Sequence, residues 1–114
     1  MTLVAGKVWG RTAAIVVTPT FELHRLVIHA GHRCSKHRHQ SKFNGLYVES
    51  GVIEVTVWQP EGTTDVTEVK AGESIIIPPG VFHQFRGVQL ASVVFETYWT
   101  ELSRNDIIRE DVGQ

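Results

Sequence analysis

The stretch SKHRHQSKFNGLYVESG, residues 35–51, joins a cluster of positive and imidazole side chains to the start of an alternating apolar run. Five of its first eight residues are Lys, Arg or His. His37 and His39 lie two residues apart, so on a β-strand both imidazole rings point to the same face. The cluster is therefore either a basic surface patch or one part of a metal site.

The second half of this stretch predicts a strand with one buried side and one solvent-facing side. If Asn44 faces inward, Leu46 and Val48 face inward as well, whereas Tyr47 and Glu49 face solvent. An inner face that is polar at its mouth and apolar deeper is expected of a site inside a small barrel.

The composition argues against a nucleic-acid-binding surface. The chain has 114 residues, of which 42% are hydrophobic, and this suits one domain with its own core, spanning residues 1–114. The formal net charge is −1, so the basic cluster is a local feature. No apolar run reaches the length of a signal peptide or a membrane span. We therefore expect a cytoplasmic protein with no nucleic-acid or membrane partner.

Short runs rich in β-branched and aromatic residues, separated by Gly, Pro and polar clusters, predict an all-β sandwich or barrel. Gly51 suits a tight antiparallel turn between two of these runs. Ser103, as a helix N-cap, predicts a short C-terminal helix over residues 104–109. The predicted strands span residues 13–17, 21–30, 44–50, 52–58, 65–69, 74–77, 81–86 and 91–99.

The only cysteine, Cys34, excludes an intrachain disulfide and a cysteine-based structural zinc site. A third histidine, His83, follows the rigid Pro-Pro-Gly turn at residues 78–80. Three imidazoles that converge from two strands would suit a divalent transition metal with open coordination positions. The remaining histidines share no spacing with this set and are expected at the surface or in satisfied interior positions: His24, His29 and His32.

Two spaced motifs follow one another along the chain. The first is Gly31, five residues, His37-Arg38-His39, four residues, Asn44, six residues and Gly51. The second is Gly72, five residues, Pro-Pro-Gly at 78–80, two residues and His83. In this order they resemble the two motifs of the cupin superfamily, in which Glu normally stands at the position of Asn44 and Asn at the position of Gly87.

The resemblance implies a small double-stranded β-helix, or jelly-roll, barrel that contains a metal site. In that site His37, His39, Asn44 and His83 would hold a divalent transition metal such as zinc, manganese, iron or nickel. An amide oxygen is a poor ligand for zinc or iron, so Asn44 could instead hydrogen-bond a metal-bound water.

A narrower resemblance, to the cupin domain of type II mannose-6-phosphate isomerases, is carried by WGR at 9–11, by residues 31–51 and by NDIIRED at 105–111. It implies that a metal polarises the oxygens of an open-chain sugar phosphate while a base moves a proton between neighbouring carbons. Lys42, with Arg38 or Arg86, would then hold a phosphate or carboxylate.

The same resemblance makes Glu96 the candidate catalytic acid or base, because it matches a Glu of the isomerase domain. We therefore expect a metal-binding small cupin that acts on a sugar or sugar phosphate. Two alternatives remain open, namely a metal-dependent oxygenase with a three-His site and a non-catalytic cupin that binds a small ligand. A homodimer is also expected, formed through the apolar residues 13–17 or through Trp9.

Overall fold

The chain is built from β-strands in the part that its computed structural model describes, residues 3–102 and 106–113. Those residues contain no helix, so none of them could cross a lipid bilayer as a long apolar helix. The expected all-β fold is confirmed. The strands are β1 (Leu3–Lys7), β2 (Gly10–Val17), β3 (Phe21–His29), β4 (Phe43–Ser50), β5 (Val52–Trp58), β6 (Thr64–Lys70), β7 (Ser74–Ile77), β8 (Phe82–Gly87) and β9 (Ala91–Trp99).

The strands form two antiparallel sheets that face each other. The larger sheet has the order β1-β2-β3-β9-β4-β7, and the smaller sheet has the order β6-β5-β8. Every second residue of the central strands points into the space between the sheets, because side chains alternate along a strand. The apolar core lies there and includes the fully buried Leu26, Ile28, Val48, Ile53, Val55 and Val94.

Gly51 connects the two sheets and does not form the antiparallel hairpin turn that the sequence suggested. β4 belongs to the larger sheet and β5 to the smaller one, so the chain changes sheets at this residue. Its φ is 86°, and an added Cβ would lie 2.3 Å from the hydroxyl oxygen of Ser92. That hydroxyl donates to the carbonyl of Val52 and accepts from its N–H, both at 3.0 Å. Glycine is therefore required by both its conformation and its close contact.

The short C-terminal helix predicted over residues 104–109 is not seen. Residues 103–105, including the proposed N-cap Ser103, lie outside the described residues, and 106–109 are not helical. Ile107 and Ile108 are 61% and 95% exposed. A helix this short needs a packed apolar face to be stable in water, and these side chains provide none.

Candidate metal centre

Backbone hydrogen bonds bring the three predicted histidines together at one end of the barrel. The N–H of His37 donates to the carbonyl of His83 at 3.1 Å, and the N–H of His83 donates back at 2.8 Å. The N–H of Gly80 donates to the carbonyl of His39 at 2.8 Å, which ties the Pro-Pro-Gly turn to the same segment. One ring nitrogen from each of His37, His39 and His83 lies within 4.8 Å of the others.

Main-chain carbonyls determine which nitrogen of two of these rings carries hydrogen. The carbonyl of Ser35 lies 2.8 Å from Nδ1 of His37, and the carbonyl of Val81 lies 2.9 Å from Nδ1 of His83. A carbonyl only accepts, so Nδ1 donates in both rings and Nε2 of the neutral ring keeps its lone pair. Nε2 of His39 is buried and has no hydrogen-bond partner among the described residues.

Asn44 lies on β4, is 1% exposed, and turns its amide oxygen towards His83. Its Nδ2 donates to Glu96 Oε2 at 3.3 Å and to the carbonyl of Thr97 at 3.1 Å. The oxygen Oδ1 consequently lies 3.0 Å from Nε2 of His83. Because the neutral His83 has its hydrogen on Nδ1, these two facing atoms are both acceptors. A cation beside them would remove the repulsion between their lone pairs.

Burial favours the neutral form of His39 and of His83. Desolvation lowers the pKa of His39, and the neighbouring His37 and His83 lower it further. Desolvation also lowers the pKa of His83, against the opposing hydrogen bond to the carbonyl of Val81. Neutral imidazole is the form that binds a metal. The unpartnered Nε2 of His39 and the facing acceptors therefore fit a divalent transition metal, which these three histidines could hold.

Glu96 lies on β9, points into the barrel and is 6% exposed. Burial raises the pKa of its carboxyl group, and hydrogen bonds from Tyr98 and Asn44 oppose that rise. The Tyr98 hydroxyl donates to this carboxylate, and burial together with the neighbouring negative charge raises the pKa of Tyr98. The structure thus brings Glu96 to the site, in direct contact with Asn44.

The three candidate cations do not form a common anion-binding group. Nζ of Lys42 lies 2.7 Å from a carboxylate oxygen of Glu22, and the negative charge of Glu22 balances the positive charge of the lysine. Arg86 is exposed on the outer side of β8 and lies 2.8 Å from Glu54. Arg38 is also exposed, and its guanidinium lies 5.2 Å from the ring centre of Phe82.

A cleft of about 800 Å³ opens beside His37 and Glu96. Glu22, His24 and Tyr98 also line it, and none of them was predicted from the sequence to belong to the site. Glu22 accepts from His24 at 2.9 Å as well as from Lys42. The signal was present in the alternation along β3, since residues 22 and 24 share a face with the buried positions 26 and 28.

Several solved structures share this fold. KdgF from Halomonas sp. is 16% identical with a TM-score of 0.73, and the match covers 84% of each chain. The capsular polysaccharide assembling protein CapF from Staphylococcus aureus is 17% identical with a TM-score of 0.79, over 93% of this chain and 30% of CapF. Oxalate decarboxylase from Bacillus subtilis, which has Mn(II) centres, is 16% identical with a TM-score of 0.78, over 92% of this chain and 29% of the enzyme.

This chain spans less than a third of the length of CapF and of oxalate decarboxylase. At these identities the likeness shows the fold alone. No curated protein sequence matches the chain significantly. A family model described as a cupin domain matches residues 24–108, which is more than half of the chain. The two spaced motifs, the antiparallel barrel and this match agree, and the chain belongs to the cupin domain family.

Proposed function

We propose that this protein is a metal-binding cupin in which His37, His39 and His83, with Asn44, hold a divalent transition metal beside a cleft for a small polar metabolite. The observation that supports this most directly is a group of buried polar atoms without suitable partners. Nε2 of His39 is buried without a partner among the described residues, and Nε2 of His83 faces the amide oxygen of Asn44. Buried polar atoms that lack hydrogen-bond partners are costly, and a cation that accepts their lone pairs would offset this cost.

The ligand that we propose is a sugar or a sugar phosphate, handled in an isomerase-like reaction. A bound divalent metal would polarise the ligand's oxygen atoms. The wall of the cleft offers hydrogen-bonding groups for hydroxyls, including Glu22, His24 and Tyr98. In this reaction Glu96 would accept or return the proton, because it is the buried carboxylate that lines the cleft beside His37.

Positive charge for an anionic end of the ligand comes from the outer part of the cleft. Lys7 and Arg33 are exposed and line it, and neither forms an ion pair with another described residue. Lys42, which the sequence favoured for this role, already has a carboxylate partner in Glu22. Lys42 would therefore hold a phosphate only by sharing its charge with Glu22, and Lys7 and Arg33 are better placed.

A non-catalytic ligand-binding cupin is the second candidate. Glu96 accepts from both Tyr98 and Asn44, so its carboxylate is fixed by two donors rather than free to move a proton.

The three-His oxygenase differs from the leading proposal in the metal and the co-substrate. Iron with oxygen consumption that depends on a substrate would favour the oxygenase. Manganese, nickel or zinc with aldose–ketose exchange would favour the isomerase-like enzyme.

Elemental analysis of protein purified without chelators, followed by titration with Co²⁺, tests the proposed metal centre. The unmodified protein should take up a stoichiometric amount of metal, and the double variant His37→Ala/His83→Ala should take up none while it remains folded by circular dichroism. The matched control is His29→Ala/His32→Ala, which removes two exposed imidazoles and should bind metal normally. Absence of uptake by the unmodified protein would exclude both enzyme proposals. Equal uptake by both double variants would refute the ligand assignment.

We also propose a homodimer, in the cytoplasm, that forms through the N-terminal hairpin β1–β2. Val4, Val8 and Val17 in this region are 66%, 90% and 61% exposed. A second copy would cover this apolar surface. Sedimentation of Val4→Asp/Val17→Asp should then show a smaller species than the unmodified protein, and an unchanged mass would argue against this interface.

A further inference from the structure

We propose that Glu96 is a positioning residue, which fixes the amide of Asn44 so that its oxygen points at the metal centre, and that the two residues act as one unit. This inference rests on the proposed metal centre and adds a role for the carboxylate on β9. It assigns to Glu96 a function that does not depend on contact with a ligand in the cleft.

Both hydrogens of the Asn44 amide have acceptors on β9. Oε2 of Glu96 lies 3.3 Å from Nδ2, and the carbonyl of Thr97 lies 3.1 Å from it. If the amide rotated by half a turn, its oxygen would face these two acceptors and its NH₂ group would face His83. The carbonyl of Thr97 and an ionised Glu96 cannot donate, so the rotated amide would exchange these two hydrogen bonds for a single one to Nε2 of His83. The two acceptors therefore determine which end of the amide faces His83.

Glu96 can act in this way because its own position is fixed. It is 6% exposed, and the Tyr98 hydroxyl donates to its carboxylate. Strand β9 lies between β3 and β4, and Glu96 is in register with Leu46 on one side and with His24 on the other. Two neighbouring strands and one side-chain donor thus hold the carboxylate that orients Asn44.

This contact also gives a physical reason for the amide at position 44. A carboxylate in its place would lie beside the carboxylate of Glu96, and two buried like charges in contact repel each other strongly. The thiol of Cys34, another buried titratable group nearby, stays neutral because burial raises its pKa to about 11, so it adds no further negative charge. The chain thus pairs one buried carboxylate, on β9, with a neutral amide on β4.

Co²⁺ titration of two size-matched variants separates the hydrogen bond from the charge. Glu96→Met and Glu96→Gln have similar volumes and no charge, but only the glutamine can accept from the Asn44 amide. We expect Glu96→Met to weaken Co²⁺ binding by about 10- to 100-fold, the usual effect of losing a residue that orients a metal ligand. Glu96→Gln loses the same charge but keeps an acceptor for Asn44, so it should bind Co²⁺ at least about 10-fold more tightly than Glu96→Met. The control, Glu49→Gln, removes an exposed carboxylate from β4 and should change nothing.

Exchanging the carboxylate and the amide between positions 44 and 96 tests the pair in the metal-free protein. Asn44→Asp alone places two carboxylates in contact and should lower the melting temperature of the metal-free protein. Asn44→Asp/Glu96→Gln restores one donor and one carboxylate with the roles reversed, so the melting temperature should recover most of that loss.

Each result has a separate consequence. Equal Co²⁺ affinity for Glu96→Met and Glu96→Gln would overturn the positioning role, as would additive effects of the two substitutions on melting. If the unmodified protein binds no Co²⁺, the metal centre itself is refuted, and the positioning role is refuted with it. If Glu96→Met does not fold, the charge exchange decides, because its variants keep the size and polarity of the native pair.

Discussion

The two ends of the barrel interior share strands β3, β4 and β9 but have opposite chemistry. The apolar end consists of inward-facing residues that are at most 1% exposed, Leu26, Ile28, Val48, Ile53, Val55 and Val94. The polar end consists of Glu22, His24, His37, His39, Asn44, His83, Glu96 and Tyr98. On β4 the change from Asn44 to Val48 takes four residues, and on β9 the change from Glu96 to Val94 takes two. Strands β3, β4 and β9 therefore supply both core and site residues, whereas His37 and His39 come from the segment between β3 and β4.

The difference between the two ends separates the residues that stabilise the barrel from the residues of the candidate site. At the apolar end, contacts between hydrocarbon side chains stabilise the barrel without any polar group that needs a partner. At the polar end most groups bond to each other, but Nε2 of His39 and the facing atoms of His83 and Asn44 do not. The apolar end stabilises the strands that hold these costly groups in place. Substitutions at the two ends should consequently affect different properties.

The largest effect is expected from Ile53→Ala at the apolar end. Ile53 is fully buried, so its truncation removes apolar contacts and leaves a cavity, which should lower the free energy of unfolding by about 2–5 kcal/mol. Ile76→Ala is the matched control, because Ile76 is 61% exposed and should lose less than about 0.5 kcal/mol. Urea denaturation of the metal-free proteins measures both values. Similar losses for the two variants would show that the interior is not packed as described.

At the polar end, His39→Phe is expected to raise the free energy of unfolding rather than lower it. The new ring has a similar shape but lacks the buried, unpartnered Nε2, so the metal-free protein should gain about 1 kcal/mol while Co²⁺ uptake falls. His24→Phe is the control, since Nε2 of His24 is 2.9 Å from Glu22 and this variant should lose stability. Loss of stability in His39→Phe would show that Nε2 has a partner in solution and would weaken the case for a metal.

Periodicity along the chain was enough to predict most of the fold. Three predicted strands have the bounds that the structure shows, 52–58, 74–77 and 91–99, because each has a clear apolar pattern between turn residues. β1 was not predicted. Its residues 4–7 are exposed and lack alternation, so only pairing with β2 defines the strand.

The site was predictable only in the parts that lie close together in the chain or follow a spaced motif. His37, His39 and Asn44 fall within eight residues of each other, and His83 follows a turn of fixed spacing. The contact between Asn44 and Glu96 joins residues 52 positions apart. It depends on the register between β4 and β9, which no period-2 pattern contains. The position of Arg86 outside the barrel, in contrast, follows from its alternation with the buried His83 and Phe85.

The smallest effect concerns the pH dependence of the polar end. Hydrogen bonds from Lys42 and then from His24 lower the pKa of Glu22 below its ordinary value of 4.5. As the pH falls below that value, the unfolded chain takes up a proton before the folded protein does. The contribution of Glu22 to stability is therefore present above pH 4.5 and is lost as the pH falls through its folded pKa.

Glu22→Gln should therefore have a lower free energy of unfolding than the unmodified protein at pH 6, by less than about 1 kcal/mol, and this gap in stability should close towards pH 3. Glu49→Gln, which removes an exposed carboxylate, should show no such closing gap, whereas Ile53→Ala at the apolar end should keep the same deficit at every pH. A gap for Glu22→Gln that stays constant between pH 6 and pH 3 would mean that its ion pair with Lys42 does not stabilise the polar end.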